Sequence, residues 1–389
     1  MKRRRLMVAG ASAVGLAGFA PAALGQKLPS TSVWTSYDLG SSGYAEASGI
    51  ADSLMKKHAM RVRIVPSGTS IGRLLPITQG KAAYGFLANE LYFAAEGTFD
   101  FAVPAWGPQD VRVVLARPAS VGMAVAKDTG VKEMKDLRGK RIGYVKGNPS
   151  VNVKNDAYLA FGGLKRKDVE VVWFGSYNAM KTAIINNQLD AMGSVTTSAN
   201  MREIEASPRG LTWPPFPAAD KAGWERIRKV ADFFEPFVET VGAGVSKDKP
   251  VELVGYRYPI MATYAKTSAD EVYAMVSAID ASMDTIKGIT GSAINWQPKR
   301  SGRPPADAPW HEGTIRYMKE KGWWTAEDQA WHDQRLARLK KLQAGWKDAQ
   351  EKFKAHVAEQ AKKGVKVEGD EAWVKFWDEY REKTLGFES

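Results

Sequence analysis

Between Gln26 and about Gln297 the chain switches repeatedly between short β-like runs and helical hydrophobic patterns. That alternation predicts an α/β architecture with largely parallel strands. Met60-Arg61-Val62-Arg63-Ile64-Val65 alternates apolar and basic residues, as a half-buried strand does. Arg141 to Val145, Val169 to Phe174 and Asp190 to Val195 read as further strands. Helices lie between them, and their ends carry local signals. The clearest begins at Ser268-Ala269-Asp270-Glu271, the pattern of a capping box in which Glu271 reaches back to the cap. Val272, Met275, Val276, Ile279, Met283 and Ile286 then fall on one face, and Gly288 closes the run.

Beyond this helix the chain changes character. Pro298, Pro304, Pro305 and Pro309 interrupt the pattern, so residues 298–309 are expected to form a linker or surface strap. Eight of the thirteen tryptophans lie from Trp296 onward, with no convincing strand among them. Leu336, Leu339, Leu342, Trp346, Ala349, Phe353 and Val357 step by three or four, as do Trp373, Phe376, Trp377 and Tyr380. These are amphipathic helices. Their aromatic faces either pack on the body of the protein or dock on a partner or membrane surface.

The N-terminus reads as an export signal. Lys2, Arg3, Arg4 and Arg5 precede an apolar run from Leu6 to Ala20, and Ala23 and Gly25 place a cleavage site before Gln26. The run is shorter than the roughly 20 residues needed to span a bilayer. Arg3-Arg4-Arg5-Leu6-Met7 also fits a twin-arginine pattern, so the route is the general secretory or the twin-arginine one. The expectation is a periplasmic protein without stable membrane insertion after cleavage. Its formal charge is +12, and four of the positive charges sit in this signal. The remaining Lys and Arg are dispersed, which suits attraction of small anions and gives no nucleic-acid footprint. Cysteine is absent, which removes disulfides, thiolate metal sites and cysteine nucleophiles. The four histidines form no ligand pair, so no metal site and no cofactor is expected.

Three strand-to-helix loops carry the chemistry. Ser36 to Tyr44 leads into a helix from Ala45 to Lys57; Pro66 to Leu74 follows the second strand; Gly147-Asn148-Pro149-Ser150-Val151-Asn152 follows the strand at 141–145. Asn148 reads as an N-cap and Pro149 as the first helical residue. Helix N-termini present unpaired amides and partial positive charge, and Gly and Ser let an anion come close. Three such loops with hydroxyls and no candidate base favour anion binding over catalysis. One alternative stands beside it: Gly68-Thr69-Ser70-Ile71-Gly72 satisfies Gly-x-Ser-x-Gly on a strand-to-helix turn. A nucleophilic Ser70 would need a histidine partner, His58 nearby or His311, His332 or His356 from the tail.

Several of these segments, in order, resemble the TAXI family of solute-binding proteins of TRAP transporters. They are Gly40-Ser41-Ser42-Gly43-Tyr44, Ser67-Gly68-Thr69-Ser70, Thr129 to Arg141 with Asp136-Leu137-Arg138-Gly139-Lys140, Gly147 to Ser150, Gln188-Leu189-Asp190-Ala191 and Tyr264 to Tyr273. The resemblance covers roughly residues 30–290. It implies a periplasmic-binding-protein fold of type II character: two α/β lobes joined by crossing strands, a ligand clasped between them, and delivery to a TRAP-type membrane permease. Family ligands are organic anions such as carboxylates and amino acids. The expected organisation is a signal at 1–25, lobe 1 at 26–117, lobe 2 at 118–267, a helix returning to lobe 1 at 268–297, and a Trp-rich helical extension at 298–389.

The expected ligand-binding residues are Ser41, Ser42, Tyr44, Ser67, Thr69 and Ser70 from lobe 1, and Asn148, Ser150 and Asn152 from lobe 2. Tyr177, Thr196 and Thr197 follow as weaker candidates, and Asn89 and Glu90 as orienting contacts. Arg73 stands where the family usually has Asn; it either contacts a carboxylate bidentately or is a solvated first-turn residue. Trp213-Pro214-Pro215-Phe216-Pro217 is an apolar loop expected to line or cover the cleft. The expected function is therefore a non-enzymatic receptor for a small organic anion. The alternatives are a Ser70 hydrolase and a sensor or scaffold acting through the C-terminal helices.

Overall fold

The computed structural model describes residues 28–387, and the segment read as an export signal lies outside the described residues. Its strands are β1 Thr31–Ser36, β2 Arg61–Pro66, β3 Tyr84–Leu87, β4 Val111–Ala126, β5 Arg141–Val145, β6 Glu170–Phe174, β7 Ala191–Ser194, β8 Leu211–Thr212, β9 Glu235–Glu239 and β10 Val251–Tyr264. Their spatial order is β2-β1-β3-β10-β4-β7-β5-β6, with β9 added to β10 and β8 to β4. On one side β1 is parallel to β2 and β3; on the other β5 is parallel to β6 and β7. The long strands β4 and β10 run antiparallel between these halves. Ile260–Ala262 of β10 pair with β3, whereas Gly122–Val125 of β4 pair with β7. The fold is thus mixed α/β around a central sheet, and the two halves are called lobe 1 and lobe 2 below.

The helices are α1 Ser42–His58, α2 Ser70–Thr78, α3 Glu90–Glu96, α4 Pro149–Phe161, α5 Tyr177–Ile185, α6 Ala199–Ala206, α7 Lys221–Arg228, α8 Ala269–Ala281, α9 Met283–Ile286, α10 Pro298–Ser301, α11 Glu312–Glu320, α12 Ala326–Lys362 and α13 Asp370–Tyr380. Among the described residues no helix is long and apolar enough to cross a membrane. Caps explain where the helices of the three loops begin. Ser41, Thr69 and Asn148 each accept a first-turn amide with the side chain, from Tyr44, Gly72 and Val151. Pro149 then sits at the start of α4, where its missing N–H costs nothing.

Burial fixes each lobe. In lobe 1, Trp34 stacks on Phe86, Phe86 meets Trp296, and Ile50, Leu54, Met275 and Ile279 close the layer without exposure. In lobe 2, Ile142, Tyr144, Tyr158, Met180, Ile184 and Met192 lie between the sheet and α4 and α5. The C-terminal extension belongs to lobe 1. Trp346 of α12 meets Trp373 and Trp377 of α13 edge-on, at 4.7 and 4.8 Å. The two α13 indoles donate to the carbonyls of Ala102 and Gly97. Arg338 grips Glu96 with two hydrogen bonds of 2.6 and 2.7 Å.

Three local expectations change. The cap at Ser268 forms, but Glu271 accepts the Tyr84 hydroxyl from β3 at 2.9 Å instead of closing a box. Residues 306–311 are buried and run beside β4, where Val113 donates to Pro309 and accepts from His311, so the proline-rich segment is no surface strap. The Trp213-to-Pro217 loop packs inside lobe 2: the Trp213 indole donates to Ala243, and Phe216 lies against Tyr158 and Phe161.

Candidate functional site

The three loops meet where the lobes face each other. The Ser70 amide donates to the Gly147 carbonyl at 2.9 Å, and Asn148 Nδ2 donates to the Gly68 carbonyl at 2.8 Å. The Ser70 hydroxyl donates to Asn148 Oδ1, and Tyr37 and Ser150 share a hydrogen bond of 2.9 Å. The other lobe 1 loop lies across two lobe 2 helices. Asp38 accepts the Asn178 amide in the first turn of α5, and the Gly40 carbonyl accepts from the Asn200 amide and the Ser198 hydroxyl at α6. A carboxylate at a helix N-terminus gains from the helix dipole.

Glycine is required for this approach. A Cβ on Gly68 would lie 2.5 Å from Asp38, 2.7 Å from Ser176 and 2.9 Å from the Tyr177 amide nitrogen. Gly40 has φ +81°, and a Cβ there would lie 2.4 Å from Asn200.

Inside the closed interface is a cavity of ≈ 30 Å³, lined by residues of both lobes and of the crossing strands. A space of that size holds only a few atoms. Ser41 and Ser42 enter from α1, Tyr37 from the end of β1, Val121 from β4 and Tyr258 from β10. Lobe 2 supplies Val151 and Lys154 from α4, Tyr177 from α5, and Ser194, Val195 and Ser198 around β7. Tyr37 meets the rings of Tyr177 and Tyr258 edge-on, at 5.7 and 5.6 Å. Tyr177 shares a hydrogen bond with Ser194, and burial pushes its phenol up to about 12. The Ser42 hydroxyl is buried with no partner, at the end of α1 where first-turn amides have no intrahelical acceptor.

Of the residues expected from sequence, Ser41, Ser42 and Tyr177 line this cavity. Ser70, Asn148 and Ser150 make the contacts between lobes just described, and Asn89 accepts from Ser150 at 2.7 Å. Tyr44 is half-buried on α1, and Ser67 and Thr69 bond to each other beside α2. Asn152 spends both amide atoms on the backbone of Val145. Thr196 donates to Val241, and with Thr197 it lines a separate cavity of ≈ 150 Å³ that also includes Arg117 and Glu239.

Arg73 is neither solvated nor facing the cavity. It is fully buried, with Nε 2.7 Å from Glu90, its other nitrogens on Ser67 and Ser70, and its guanidinium 3.4 Å from the Tyr37 ring centroid. Burial opposes its charge, but Glu90 overrides this and holds its pKa above the ordinary value. Arg73 therefore props Tyr37 from behind, and Glu90 gives Oε1 to that pair while its Oε2 is buried without a hydrogen-bond partner.

The sequence reading missed Lys154, Tyr37, Ser194, Ser198 and Tyr258. Lys154 had a readable signal: it follows Ser150 by four residues and precedes Tyr158 by four, so it lies on the buried face of α4. It is 7% exposed, with Nζ 2.7 Å from Asn89 Oδ1, 3.2 Å from Ser150 Oγ and 4.8 Å from the Tyr256 ring centroid. Burial pulls its pKa down to about 8 against the pull of Glu90 and Asp307.

Ser70 has no histidine beside it among the described residues. His58 bonds Ser282, His311 bonds Thr267 and Gly313, His332 accepts from Trp310, and His356 stacks on Phe353. A hydrolytic triad is not assembled there.

A sequence model described as the NMT1-like family matches residues 39–322. No curated protein matches the chain. Similar solved structures include one from Bordetella bronchiseptica RB50, at 17% identity over 77% of this chain and 91% of that one, with a TM-score of 0.44. The alkanesulfonate-binding protein SsuA from Xanthomonas axonopodis pv. citri, bound to MOPS, is 15% identical over 76% and 91% with a TM-score of 0.39. The amino acid ABC transporter substrate-binding protein AbpA from Streptococcus pneumoniae, bound to L-arginine, is 13% identical over 70% and 94% with a TM-score of 0.39.

Proposed function

The chain belongs to the NMT1-like family, and from that premise we propose that it is an exported solute-binding protein that captures a small organic anion and delivers it to a membrane permease of the TRAP type. One observation carries the reading: loops on opposite lobes close directly on each other, around a cavity built from hydroxyls, aromatic rings and one ammonium. A cavity of this size, walled by both lobes, admits a ligand only when the lobes part. The crossing strands β4 and β10 are the connections about which such a hinge motion turns. The TRAP assignment follows the order of glycine loops and the Asp136-to-Lys140 segment that resemble the TAXI family, and periplasmic location follows the N-terminal signal. Binding without turnover is the expected chemistry, since Ser70 spends its hydroxyl on Asn148 and Arg73.

Mass spectrometry of gently purified protein is expected to find a co-purified small acid, and calorimetry with a panel of carboxylates to find saturable binding without consumption of the ligand. The absence of both a co-purified solute and binding by any organic anion would remove the receptor assignment.

A further inference from the structure

The charges around the cavity narrow the ligand beyond an organic anion, on the footing that the cleft is a ligand site. Arg73 pairs with Glu90 Oε1 at 2.7 Å, and Glu90 Oε2 is buried without a hydrogen-bond partner and outside the cavity lining. Lys154 has no carboxylate within ion-pair distance among the described residues. Two of its three donors go to the neutral oxygens of Asn89 and Ser150. Asp307 is reached only through Tyr256, whose ring lies beneath the ammonium and whose hydroxyl donates to Asp307 at 2.6 Å. An ammonium out of water without a paired charge is costly, and an anion placed against it offsets that cost. The unpartnered Ser42 hydroxyl in the same cavity is a second polar group aimed at something other than this chain.

The remaining lining sets the other limits. Tyr37, Val121, Val151, Tyr177, Val195 and Tyr258 form the body of the cavity, and none of the lining residues is an aspartate or glutamate. A second negative charge on the ligand finds no second cation, and a ligand ammonium finds no carboxylate. We infer that the ligand is a compact monocarboxylate with an apolar body and no α-ammonium, its carboxylate received by Lys154 and Ser42.

The experiment is calorimetry at pH 7 with isobutyrate, 2-oxoisovalerate, L-valine and succinate, on the wild-type chain and on Lys154→Met. The two monocarboxylates are expected to bind saturably, and L-valine and succinate roughly 100-fold more weakly, as befits a buried charge left unpaired. Lys154→Met is expected to lose monocarboxylate binding by roughly 100-fold or more and, ligand-free, to melt at a higher temperature than wild type. A lysine kept only to brace Asn89 and Ser150 would give the opposite shift in melting. Lys154→Arg, which keeps the charge, tests the same point if the Met variant does not fold: it is expected to retain measurable monocarboxylate binding.

L-valine or succinate binding as tightly as isobutyrate, or unchanged affinity in Lys154→Met, overturns the assignment while leaving the receptor reading intact. So does a co-purified solute that is a zwitterion or a dianion. If no probe binds and no solute co-purifies, the receptor reading itself falls.

Discussion

At the scale of single residues the ligand-free site carries a measurable cost, and its pH dependence has a definite sign. In the unfolded chain Lys154 holds its proton up to its ordinary value of 10.5, whereas in the fold it releases it near 8. Between those values the unfolded state binds more protons, so this residue makes stability rise with pH across that window, by roughly 3 kcal/mol in all. Asp307 acts in the other direction. Burial raises it from 3.8 to about 7, so from pH 4 to 7 the folded state binds more protons and stability falls as pH rises. Denaturant unfolding of wild type and Lys154→Met across pH 7 to 10.5 is expected to show the variant's advantage shrinking above pH 8; a constant difference would mean the lysine keeps its proton in the fold as firmly as in the unfolded chain. Monocarboxylate affinity is expected to fall by about 10-fold per pH unit above pH 8, as the ammonium that receives the anion is lost. Glu90, Arg73 and Asp307 act on the same ammonium electrostatically, and the Tyr256 ring lies beneath it. Lys154 shows why the site was only partly legible. Ser41 and Ser42 advertise themselves through a local cap and glycine loop, whereas Lys154 is buried by Asn89 from the opposite lobe, a neighbour 65 positions away.

At the scale of elements, local patterns predicted what local forces determine. The strands at 61–66, 141–145, 170–174 and 191–194 follow from periodicity and the cap of α4 from Asn148, whereas α1 begins at Ser42 and not at the expected Ala45, because the Ser41 side chain caps it three residues earlier. Elements set by distant neighbours were not legible: Glu271 turns to Tyr84 because β3 lies against α8, and residues 306–311 are buried because they run beside β4. The glycine loops join both levels, since small residues permit the turn and also the closure. Gly68→Ala tests this. The added methyl meets the Tyr177 backbone and Ser176 of lobe 2, so it opposes the closed arrangement, and within lobe 1 it displaces only the Asp38 side chain, 2.5 Å away, which itself reaches across to lobe 2. Ligand affinity is expected to fall by about 10-fold, or roughly 1.4 kcal/mol, because binding must then be paired with a costlier closure. The melting temperature of ligand-free protein should move by less than a few degrees, and small-angle scattering with ligand should report a larger radius of gyration than wild type. Unchanged affinity together with an unchanged scattering curve would show that the loops do not need to meet.

At the scale of the whole molecule the question is whether the C-terminal extension is an appendage or part of the body. The three-and-four spacing of its aromatic residues is compatible with either, and the packing separates them. Trp346, Trp373 and Trp377 are buried against Ala102, Leu342, Ala349 and Leu385, and the glycine at 107, with φ +69°, leaves room for the Trp346 ring 2.5 Å from where its Cβ would stand. Before the long helix begins, Pro309 and His311 bond β4, and Thr314 bonds the next β4 carbonyl. Since β4 is one of the two strands shared by both lobes, removing the extension strips partners from a strand that joins them. Truncation after Gln297 is therefore expected to cost folding and ligand binding together, with loss of the cooperative unfolding transition. Trp346→Ala is the graded version: it leaves the cleft residues untouched and should lower stability by about 3–5 kcal/mol in denaturant unfolding, with monocarboxylate affinity of the folded fraction within about 2-fold of wild type, as expected for distant, independent sites. A truncated chain that unfolds cooperatively and still binds ligand would make the extension a separate module, and a partner-docking role for its helices would then be the better account of its tryptophans.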